Sequence, residues 1–326
     1  MGIPFRNDGN DGNDGNDGND GNDGNDGNDG NAISGVRAYS GKVTSLLLAR
    51  ALSTTQGEIT RGVTSQPDLN FGVVPLSQPL DRWSRDVRAH QYEFELISGL
   101  AFKNGKLTYK GPLATVTIEV LEPAYEKTHD ALEAALAKVI GMAALRPDRM
   151  EEILTQVVLP YSFFAMVLNL QPGRHRYTYE LMAAVWRTST IVVMQFKHYF
   201  GVRRPADRSA LVQPILMTPG HGAYPAGHST QAYFMVDVLK ALLTDAATAS
   251  GKPSATGHDT EIGNTLENLA KRISDNRIVA GVHYPDDMDE GTKLGRELAT
   301  YFLYRKAVPG SALEWLWDKS TKEIWR

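Results

Sequence analysis

Six segments with helical periodicity follow one another between Thr128 and Ala307, and they limit the fold more than any other feature of the chain. Apolar residues recur in each of them about every three or four positions, which predicts amphipathic helices. The segments are THDALEAALAKVIGMAALR, DRMEEILTQVVLPYSFFAMVLNL, TYELMAAVWRTSTIVVMQFKHYFG, STQAYFMVDVLKALLTDAAT, TEIGNTLENLAKRISDNRIVAG and DDMDEGTKLGRELATYFLYRKA. Such helices bury their apolar faces against one another. The sequence therefore predicts an all-α fold, a helical bundle whose sites form from side chains on facing helices.

The residues before the bundle predict little regular structure. Residues 33–88 are polar, with scattered Gly, Ser and Pro, which indicates loops and a short helix at KVTSLLLARAL. In YEFELISGLAFKNGKLTYKG, Asn104 and Gly105 lie between alternating residues, which is typical of a β-hairpin. We therefore expect one small β-hairpin before the bundle.

The triplet NDG is repeated eight times over residues 7–30, without an apolar residue to bury. This composition predicts a disordered tail. Regularly spaced Asp also suggests calcium binding, but calcium β-helix repeats are about nine residues long and contain an apolar residue in each unit, so a solvated tail is favoured. We expect three regions: the disordered tail at 1–31, a loop-rich region with the short helix and the hairpin at 32–127, and an α-helical catalytic domain at 128–326.

The charge of the chain suits a small anionic ligand. Lys and Arg number 34 against 38 Asp and Glu, and eight of these Asp lie in the repeat, so the rest has 34 positive against 30 negative residues. A net charge of this size falls well short of that of a nucleic-acid-binding protein. Cysteine is absent, which excludes disulfides, thiolate zinc sites and cysteine nucleophiles.

No apolar run approaches the roughly 20 residues of a membrane span, and the start of the sequence lacks the pattern of a secretory signal peptide. We therefore expect a soluble protein without an integral membrane segment. The sequence leaves the compartment and the oligomeric state open.

Two cations stand close together in the segment KHYFGVRRP. Lys197 and Arg204 are seven residues apart, so they would share a helix face if the helix continues as far as Pro205, which would end it. Two cations on one face repel each other unless an anion lies between them, and Arg has the planar fork that matches phosphate oxygens. Taken alone, a solvated basic face near a helix C-terminus is the simpler interpretation.

The segment YPAGHST places His228 at the start of a predicted helix. The backbone N–H groups of a helix N-terminus bind anions readily, and His228 would lie beside them. The simpler interpretation is a helix capped by Ser229 or Thr230, with His228 on the surface.

A second histidine lies in the segment NRIVAGVHYPDD. Arg277 ends one helical pattern, Gly281 breaks it, and Pro285 stands where the next helix would begin, so His283 lies in the elbow between them. Asp287 could accept a hydrogen bond from the ring of His283 and fix its tautomer. Acidic residues at a helix N-terminus are also common without such a role.

Together these three segments resemble the three-part signature shared by vanadium-dependent haloperoxidases and the acid phosphatases of the type 2 phosphatidic acid phosphatase superfamily. The matching positions are Lys197, Arg204, Pro205, Pro225, Gly227, His228, Arg277, His283 and Asp287. Their order and internal spacings agree throughout, and the resemblance covers about Tyr177 to Arg305. It implies a helical bundle of the haloperoxidase and acid phosphatase type.

The resemblance also implies a role for each position. The equatorial oxygens of a phosphate or vanadate would be bound by Lys197, Arg204, Arg277 and the backbone N–H of Gly227. His283 would be the nucleophile that becomes phosphorylated, or the axial ligand of vanadium, and Asp287 would orient it. His228 would be the general acid or base beside the apical oxygen, and Lys197 would also activate bound peroxide.

Two positions depart from the family pattern. Ala226 replaces a serine in the anion-binding set, so one hydrogen bond to an equatorial oxygen is missing. A hydrogen bond to a charged group contributes about 1.5–3 kcal/mol. Asn276 replaces the serine that commonly precedes the arginine, which is a milder change because an amide can still bond locally.

Two further residues bear on the choice between vanadate and phosphate. His221 is similar to a histidine of algal vanadium bromoperoxidases, where chloroperoxidases have a phenylalanine, and it would line the halide pocket. Its simpler interpretation is a histidine of a surface loop. Haloperoxidases often have tryptophan at the position of Met194, so this residue argues against a haloperoxidase. The segment GVHYPDD is equally compatible with a phosphatase.

The sequence therefore predicts a vanadate-dependent haloperoxidase-like enzyme that oxidises halide, with bromide favoured, using hydrogen peroxide and an organic acceptor. The alternative is a soluble acid phosphatase without a cofactor, in which His283 attacks a phosphate ester in the same site and forms a phosphohistidine. A third hypothesis, a structural or calcium-binding repeat protein, would need the NDG tail for its function.

Overall fold

The structure is a computed structural model that describes residues 79–157, 161–251 and 257–324, with isolated positions between 50 and 61. The chain divides into two compact units, residues 1–88 and 89–326. The NDG tail and, except for Arg50, the helix expected at KVTSLLLARAL lie outside the described residues. In the first unit, a 3-10 helix spans Pro79–Arg82, and Arg88 Nη1 donates to the carbonyls of Leu80 and Trp83.

The second unit is mostly helical, as the sequence predicts. Its helices, beginning with one that starts just before the unit, are α1 Arg85–Ile97, α2 His129–Met142, α3 Arg146–Thr155, α4 Tyr161–Leu168, α5 Arg176–Phe200, α6 Pro205–Arg208, α7 Gly227–Ala249, α8 Gly257–Val279, α9 Pro285–Arg305 and α10 Ala312–Glu323. Short 3-10 helices at Ala124–Glu126 and Ala143–Leu145 flank α2. In the described part of the chain, no helix is both long and apolar enough to cross a membrane.

Helix α7 forms the centre of the bundle. It packs against α5, α8, α9 and α10. Its sequence is apolar on most faces, and Phe234, Met235, Leu239 and Leu242 are completely buried. The other four helices therefore pack their side chains against this one helix.

Helix α9 approaches α7 closely because two glycines of α9 face it. A Cβ atom on Gly291 would lie 2.7 Å from the carbonyl oxygen of Ala226, and one on Gly295 would lie 2.5 Å from that of Thr230. Any larger residue would force the helices apart. This contact places the first turn of α9 beside the first turn of α7, where the predicted site residues lie.

The first two predicted helical segments are divided differently in the structure. The first ends as α2 at Met142, and α3 then starts with Pro147 in its first turn, a position that needs no backbone N–H. The second segment forms two helices, α3 and α4, instead of one. Pro160 lies between them in sequence, and proline cannot continue the hydrogen-bond ladder of a helix.

Within the described residues, three α-helices are additional to the predicted segments: α1, the single turn of α6, and α10. Helix α1 covers residues that we assign from the sequence to loops and to the start of the hairpin. Helix α10 begins at a cap in which Ser311 Oγ accepts from the backbone N–H of Glu314 at 3.0 Å. Its serine and glutamate, three residues apart before an apolar run, are a recognised sequence signal for a helix start.

The predicted hairpin is confirmed. Strands β1, Leu100–Lys103, and β2, Lys106–Lys110, are antiparallel and joined by Asn104 and Gly105 with φ of 52° and 72°. Two positive φ angles in a two-residue loop match the twist of a hairpin. A third strand, β3 at Thr115–Glu119, pairs with β2 and was not expected, so the sheet has the order β1-β2-β3.

Candidate active site

A cavity of about 400 Å³ lies between α5, the start of α7, the end of α8 and the loops that precede α7 and α9. The predicted site residues on its wall are Lys197, Arg204, His221, Gly227, His228, Arg277 and His283. Ala226 and Asp287 are fully buried behind the wall, next to Gly227 and His283. No Asp or Glu lines this cavity in the described part of the chain. The three sequence motifs thus meet at one cavity that is rich in cations.

Lys197 lies in the last turn of α5 and is buried. Its Nζ donates to the carbonyl oxygens of Gly222 and Ala223 at 2.9 and 2.7 Å. Burial, and then the charge of Arg204, lower the pKa of this lysine well below its usual value. An ammonium group has three donors, so one N–H remains for a ligand.

Arg204 reaches the cavity by a different route from the one that the sequence suggests. Helix α5 ends at Phe200, with Gly201 in the left-handed conformation at φ 59°, so Lys197 and Arg204 do not share a helix face. Pro205 starts α6 instead of ending α5. The two cations meet because the chain turns back at Gly201.

The guanidinium of Arg204 contacts both neighbouring histidines. Nη1 donates to His283 Nε2 at 2.9 Å and to the carbonyl of Val282 at 2.7 Å, and Nη2 lies 3.0 Å from His221 Nδ1. A guanidinium only donates, so Nε2 of His283 carries a lone pair. Nδ1 of His221 lies between this donor and the carbonyl oxygen of Gly222, at 3.2 Å, so its contacts are compatible with either tautomer. Burial lowers the pKa of Arg204 to about 10, which leaves it charged near neutral pH.

His283 lies in the predicted elbow, after Gly281 with its φ of 83° and before Pro285 in the first turn of α9. Its Nδ1 donates to Asp287 Oδ2 at 2.8 Å, as predicted. Burial, and then the charge of Arg204, hold the pKa of His283 well below its usual value. The ring is therefore neutral with a lone pair on Nε2, which is the form that a nucleophile or a metal ligand requires.

Asp287 accepts two further hydrogen bonds. The backbone N–H of Tyr284 donates to Oδ2 at 3.0 Å, and the hydroxyl of Tyr125 donates to Oδ1 at 2.6 Å. Burial raises the pKa of Asp287 to about 6, and these two bonds oppose the rise. Tyr125 was not predicted, because it lies 162 residues before Asp287 and outside the three motifs.

His228 lies in the first turn of α7, on the cavity wall. The capping residue of α7 is Ala226, and the hydroxyls of Ser229 and Thr230 donate to the carbonyls of Met288 and Ala226. The alternative of a helix capped by either hydroxyl residue, with a surface histidine, is therefore wrong.

The tautomer of His228 follows from its contacts. Its Nε2 donates to the backbone carbonyl of Gln156 at 3.1 Å, so Nδ1 carries the lone pair. Burial, and then the charge of Arg277, lower the pKa of His228 to about 3. The ring of Trp186 lies edge-to-face against it, with centroids 6.0 Å apart. His228 is thus neutral and able to take up a proton at Nδ1.

Arg277 is almost completely buried, and its donors are only partly used. Nη2 donates to Gln156 Oε1 at 3.0 Å and to the carbonyl of Ile153 at 3.2 Å, while Nε has no hydrogen-bond partner in the described part of the chain. A buried donor without a partner is costly, so a ligand that accepts from it would stabilise the site. Burial lowers the pKa of Arg277 to about 10.

Gln156, at the end of α3, was not predicted as a site residue. Its backbone carbonyl holds His228, and its Oε1 accepts from Arg277 and, at 3.0 Å, from Asn276 Nδ2. It therefore connects the second motif to the third. The sequence gives no signal for it, because it lies inside an ordinary amphipathic segment.

These residues fit a vanadate or phosphate ion. Three buried cations, the Nε of Arg277 and the N-terminus of α7 at Gly227 supply donors, and none of the described residues places a carboxylate on the wall to repel a negative charge. The lone pair of His283 Nε2 is taken by Arg204. A ligand that bonds to Nε2 must therefore move Arg204, whose freed N–H groups can then donate to the oxygens of that ligand.

Comparison with known proteins gives a family match over part of the chain. Residues 204–307, about a third of the chain, match the family described as "VCPO second helical-bundle domain". Among solved structures, the chain is similar to the first transmembrane PAP2 type phosphatidylglycerolphosphate phosphatase from Bacillus subtilis, with a TM-score of 0.43 and 20% identity over 56% of this chain and 87% of that chain. No curated protein sequence matches the chain.

The family match includes two of the three motifs in full and begins at Arg204, the last cation of the first. The structure brings all three motifs to one cavity, in the order and spacing of the signature. Residues 204–307 are thus similar to the second helical-bundle domain of the VCPO family.

Proposed function

We propose that this protein is a vanadate-dependent haloperoxidase-like enzyme that oxidises halide, with bromide favoured, using hydrogen peroxide. The observation that carries the proposal is the set of three buried cations, Lys197, Arg204 and Arg277, around a cavity that no Asp or Glu of the described residues lines. Desolvated charges that no carboxylate contacts directly are costly, and a bound oxyanion offsets that cost.

The residues that would hold vanadate are those already facing the cavity. Its oxygens would be held by Lys197 Nζ, by the two guanidinium groups and by the backbone N–H of Gly227, and His283 Nε2 would be a ligand. Asp287 keeps the proton of His283 on Nδ1, so that Nε2 stays free to bond. When bound, vanadate would supply a Lewis-acidic centre that activates hydrogen peroxide toward attack by halide.

His228 would handle the proton of the reaction. Its Nε2–H is fixed on the carbonyl of Gln156, which leaves Nδ1 to accept a proton from hydrogen peroxide as it binds. The pKa of His228 is about 3 because of burial and the neighbouring Arg277, and a negative oxyanion nearby would raise it toward neutral. The same atom would later return the proton to the departing oxygen.

His221 would influence the choice of halide. Its ring is largely exposed where it lines the cavity, and its Nδ1 lies 3.0 Å from Arg204 Nη2. The side chains of Lys197, Arg204 and Arg277 are called the cradle below. A polar ring beside one of its arginines gives a halide a different neighbour from the one that a phenyl ring would give. We expect His221→Phe to shift the preference away from bromide, measured as the ratio of bromide to chloride oxidation rates.

A phosphatase of the same superfamily is the second candidate. The observation that favours it is the neutral, oriented His283 beside the three cations, because this arrangement can attack a phosphate ester without any cofactor. His228 would first take up a proton at Nδ1 when the negatively charged ester binds. His283 Nε2 would then form the bond to phosphorus while the bond from phosphorus to the alcohol oxygen breaks, and His228 would give its proton to that oxygen. Water, deprotonated by His228 Nδ1, would finally break the bond between phosphorus and His283 and release phosphate.

Two assays on one preparation separate these candidates. Protein incubated with orthovanadate and then dialysed should brominate a β-diketone dye with hydrogen peroxide and bromide, and added phosphate should inhibit by competing for the cradle. The vanadate-free protein should hydrolyse p-nitrophenyl phosphate poorly. Efficient ester hydrolysis, with vanadate acting only as an inhibitor and without vanadate-dependent bromination, would refute the proposed function in favour of the phosphatase.

A further inference from the structure

The cavity is much larger than an oxyanion. Its volume is about 400 Å³, whereas an oxyanion occupies roughly 100 Å³, the share of about three waters at about 30 Å³ each. The remaining space borders the apolar wall, which we define as the lining residues Trp186, Val193, Met194, Leu216, Met217 and Pro219. More than half of the cavity is therefore available to something other than the anion.

The apolar wall and the cationic cradle are two ends of one surface. Trp186, Thr190, Val193, Met194 and Lys197 lie at helical spacing on a single face of α5, and all of them line the cavity. The eleven steps from Trp186 to Lys197 extend about 16 Å along the helix axis at about 1.5 Å per residue. A molecule that reaches both ends must be longer than a phosphate or a vanadate.

Trp186 is held in place beside the acid–base histidine. Its ring lies edge-to-face against His228 at 6.0 Å and against Tyr161 at 5.7 Å. Val193 lies next to the N-terminus of α7, since its Cγ1 would be 3.8 Å from a Cβ placed on Gly227. An apolar group against this wall would therefore lie directly beside the atoms that bind the anion.

We propose that the cavity binds an organic substrate with an apolar group of about the size of an aromatic ring against Trp186, while the cradle holds the oxyanion. Fixed rings give favourable edge-to-face and stacking contacts, and sites lined by apolar residues with a few polar groups are typical of small-molecule binding. This proposal rests on the proposed function only for the reaction that the bound substrate undergoes. The substrate is an arylated or similarly apolar molecule, held as acceptor in the haloperoxidase or as ester in the phosphatase.

The test compares two non-reacting probes that share one anionic group. Phenylphosphonate and methylphosphonate are titrated into the full chain by calorimetry, and phenylphosphonate is expected to bind at least tenfold more tightly, because its ring is removed from water against the apolar wall. In Trp186→Ala the two affinities should come within about twofold of each other, with that of methylphosphonate nearly unchanged. Trp186→Phe should restore most of the preference.

Two further variants complete the test. Phe94→Ala is the matched control, because Phe94 is an exposed aromatic residue, 69% accessible and away from the cavity, and it should keep the full preference. Met194→Ala, which changes a half-exposed residue of the wall, should reduce the preference even if Trp186→Ala fails to fold.

The outcomes test separately whether an apolar group binds at the wall and whether an oxyanion binds at the cradle. Equal binding of the two phosphonates to the native protein, or a preference that survives in both Trp186→Ala and Met194→Ala, overturns the proposal and leaves the oxyanion cradle standing. Failure of both phosphonates and of orthophosphate to bind overturns the cradle itself, and with it the proposed function.

Discussion

The hydroxyl of Tyr125 should help to set the pH below which activity falls, because it donates to Asp287, which in turn accepts from His283. Tyr125→Phe removes one of the donors to Asp287 and leaves the ring in place. A hydrogen bond to a charged group contributes about 1.5–3 kcal/mol, and one pKa unit corresponds to about 1.36 kcal/mol. The pKa of Asp287 should therefore rise by about one to two units in this variant.

The direction of the effect follows from the protonation states. Burial already raises the pKa of Asp287 to about 6, so the native carboxylate is ionised above this pH and protonated below it. A protonated Asp287 no longer accepts from His283 Nδ1 as an anion, and the oriented neutral ring is lost. Activity should thus decline with falling pH at a point about one unit or more higher in Tyr125→Phe, measured as kcat/KM from about pH 5 to about pH 9.

Tyr284→Phe is the matched control for this prediction. The ring of Tyr284 stacks on that of Tyr125 with centroids 4.1 Å apart, but its hydroxyl has no hydrogen-bond partner within the described residues. Its bond to Asp287 comes from the backbone and survives the substitution. If the acid limb of Tyr125→Phe coincides with that of the native enzyme, or if Tyr284→Phe shifts it equally, the reasoning is refuted.

Three further substitutions test the site. His283→Ala should abolish turnover while the helical circular dichroism persists, since it removes the ligand or nucleophile; retention of most activity would place the site elsewhere. Ala226→Ser should restore a donor near the anion and tighten orthophosphate or orthovanadate binding by about 1 kcal/mol, roughly fivefold, in calorimetry; weaker binding would show that the small side chain is required. Gln156→Glu should weaken anion binding relative to the native protein increasingly as the pH rises, because the ionised carboxylate neutralises Arg277, whereas Gln156→Leu should weaken it at every pH. Affinities within twofold of the native value in both variants would contradict a role for Gln156.

The residue spacing within the third motif was sufficient to predict one contact of the site. The hydrogen bond from His283 to Asp287 follows from a separation of four residues across a helix start, and the structure has it. The route by which Arg204 joins Lys197 could not be predicted, because it depends on a left-handed turn at Gly201 and not on a shared helix face. Short-range sequence patterns predict contacts between residues a few positions apart. They do not predict how the chain turns between two helices.

Tyr125 and Gln156 could not be found from the sequence for a related reason. Each contacts the motifs across more than 70 residues of chain, and nothing in its local pattern differs from that of an ordinary buried side chain. Helix α10, in contrast, has a capping signal at Ser311 and could have been predicted. Long-range packing of α7 and α9 decides which distant residues reach the site.

The most direct test of the central claim is a crystal structure of the full chain grown with orthovanadate. We expect vanadium bonded to His283 Nε2, with its oxygens in contact with Lys197, Arg204 and Arg277. Arg204 Nη1 should have left the nitrogen that it occupies at 2.9 Å in the ligand-free structure. A cavity without vanadium at saturating orthovanadate, with Arg204 still bonded to His283, would contradict the claim that these buried cations form an oxyanion site.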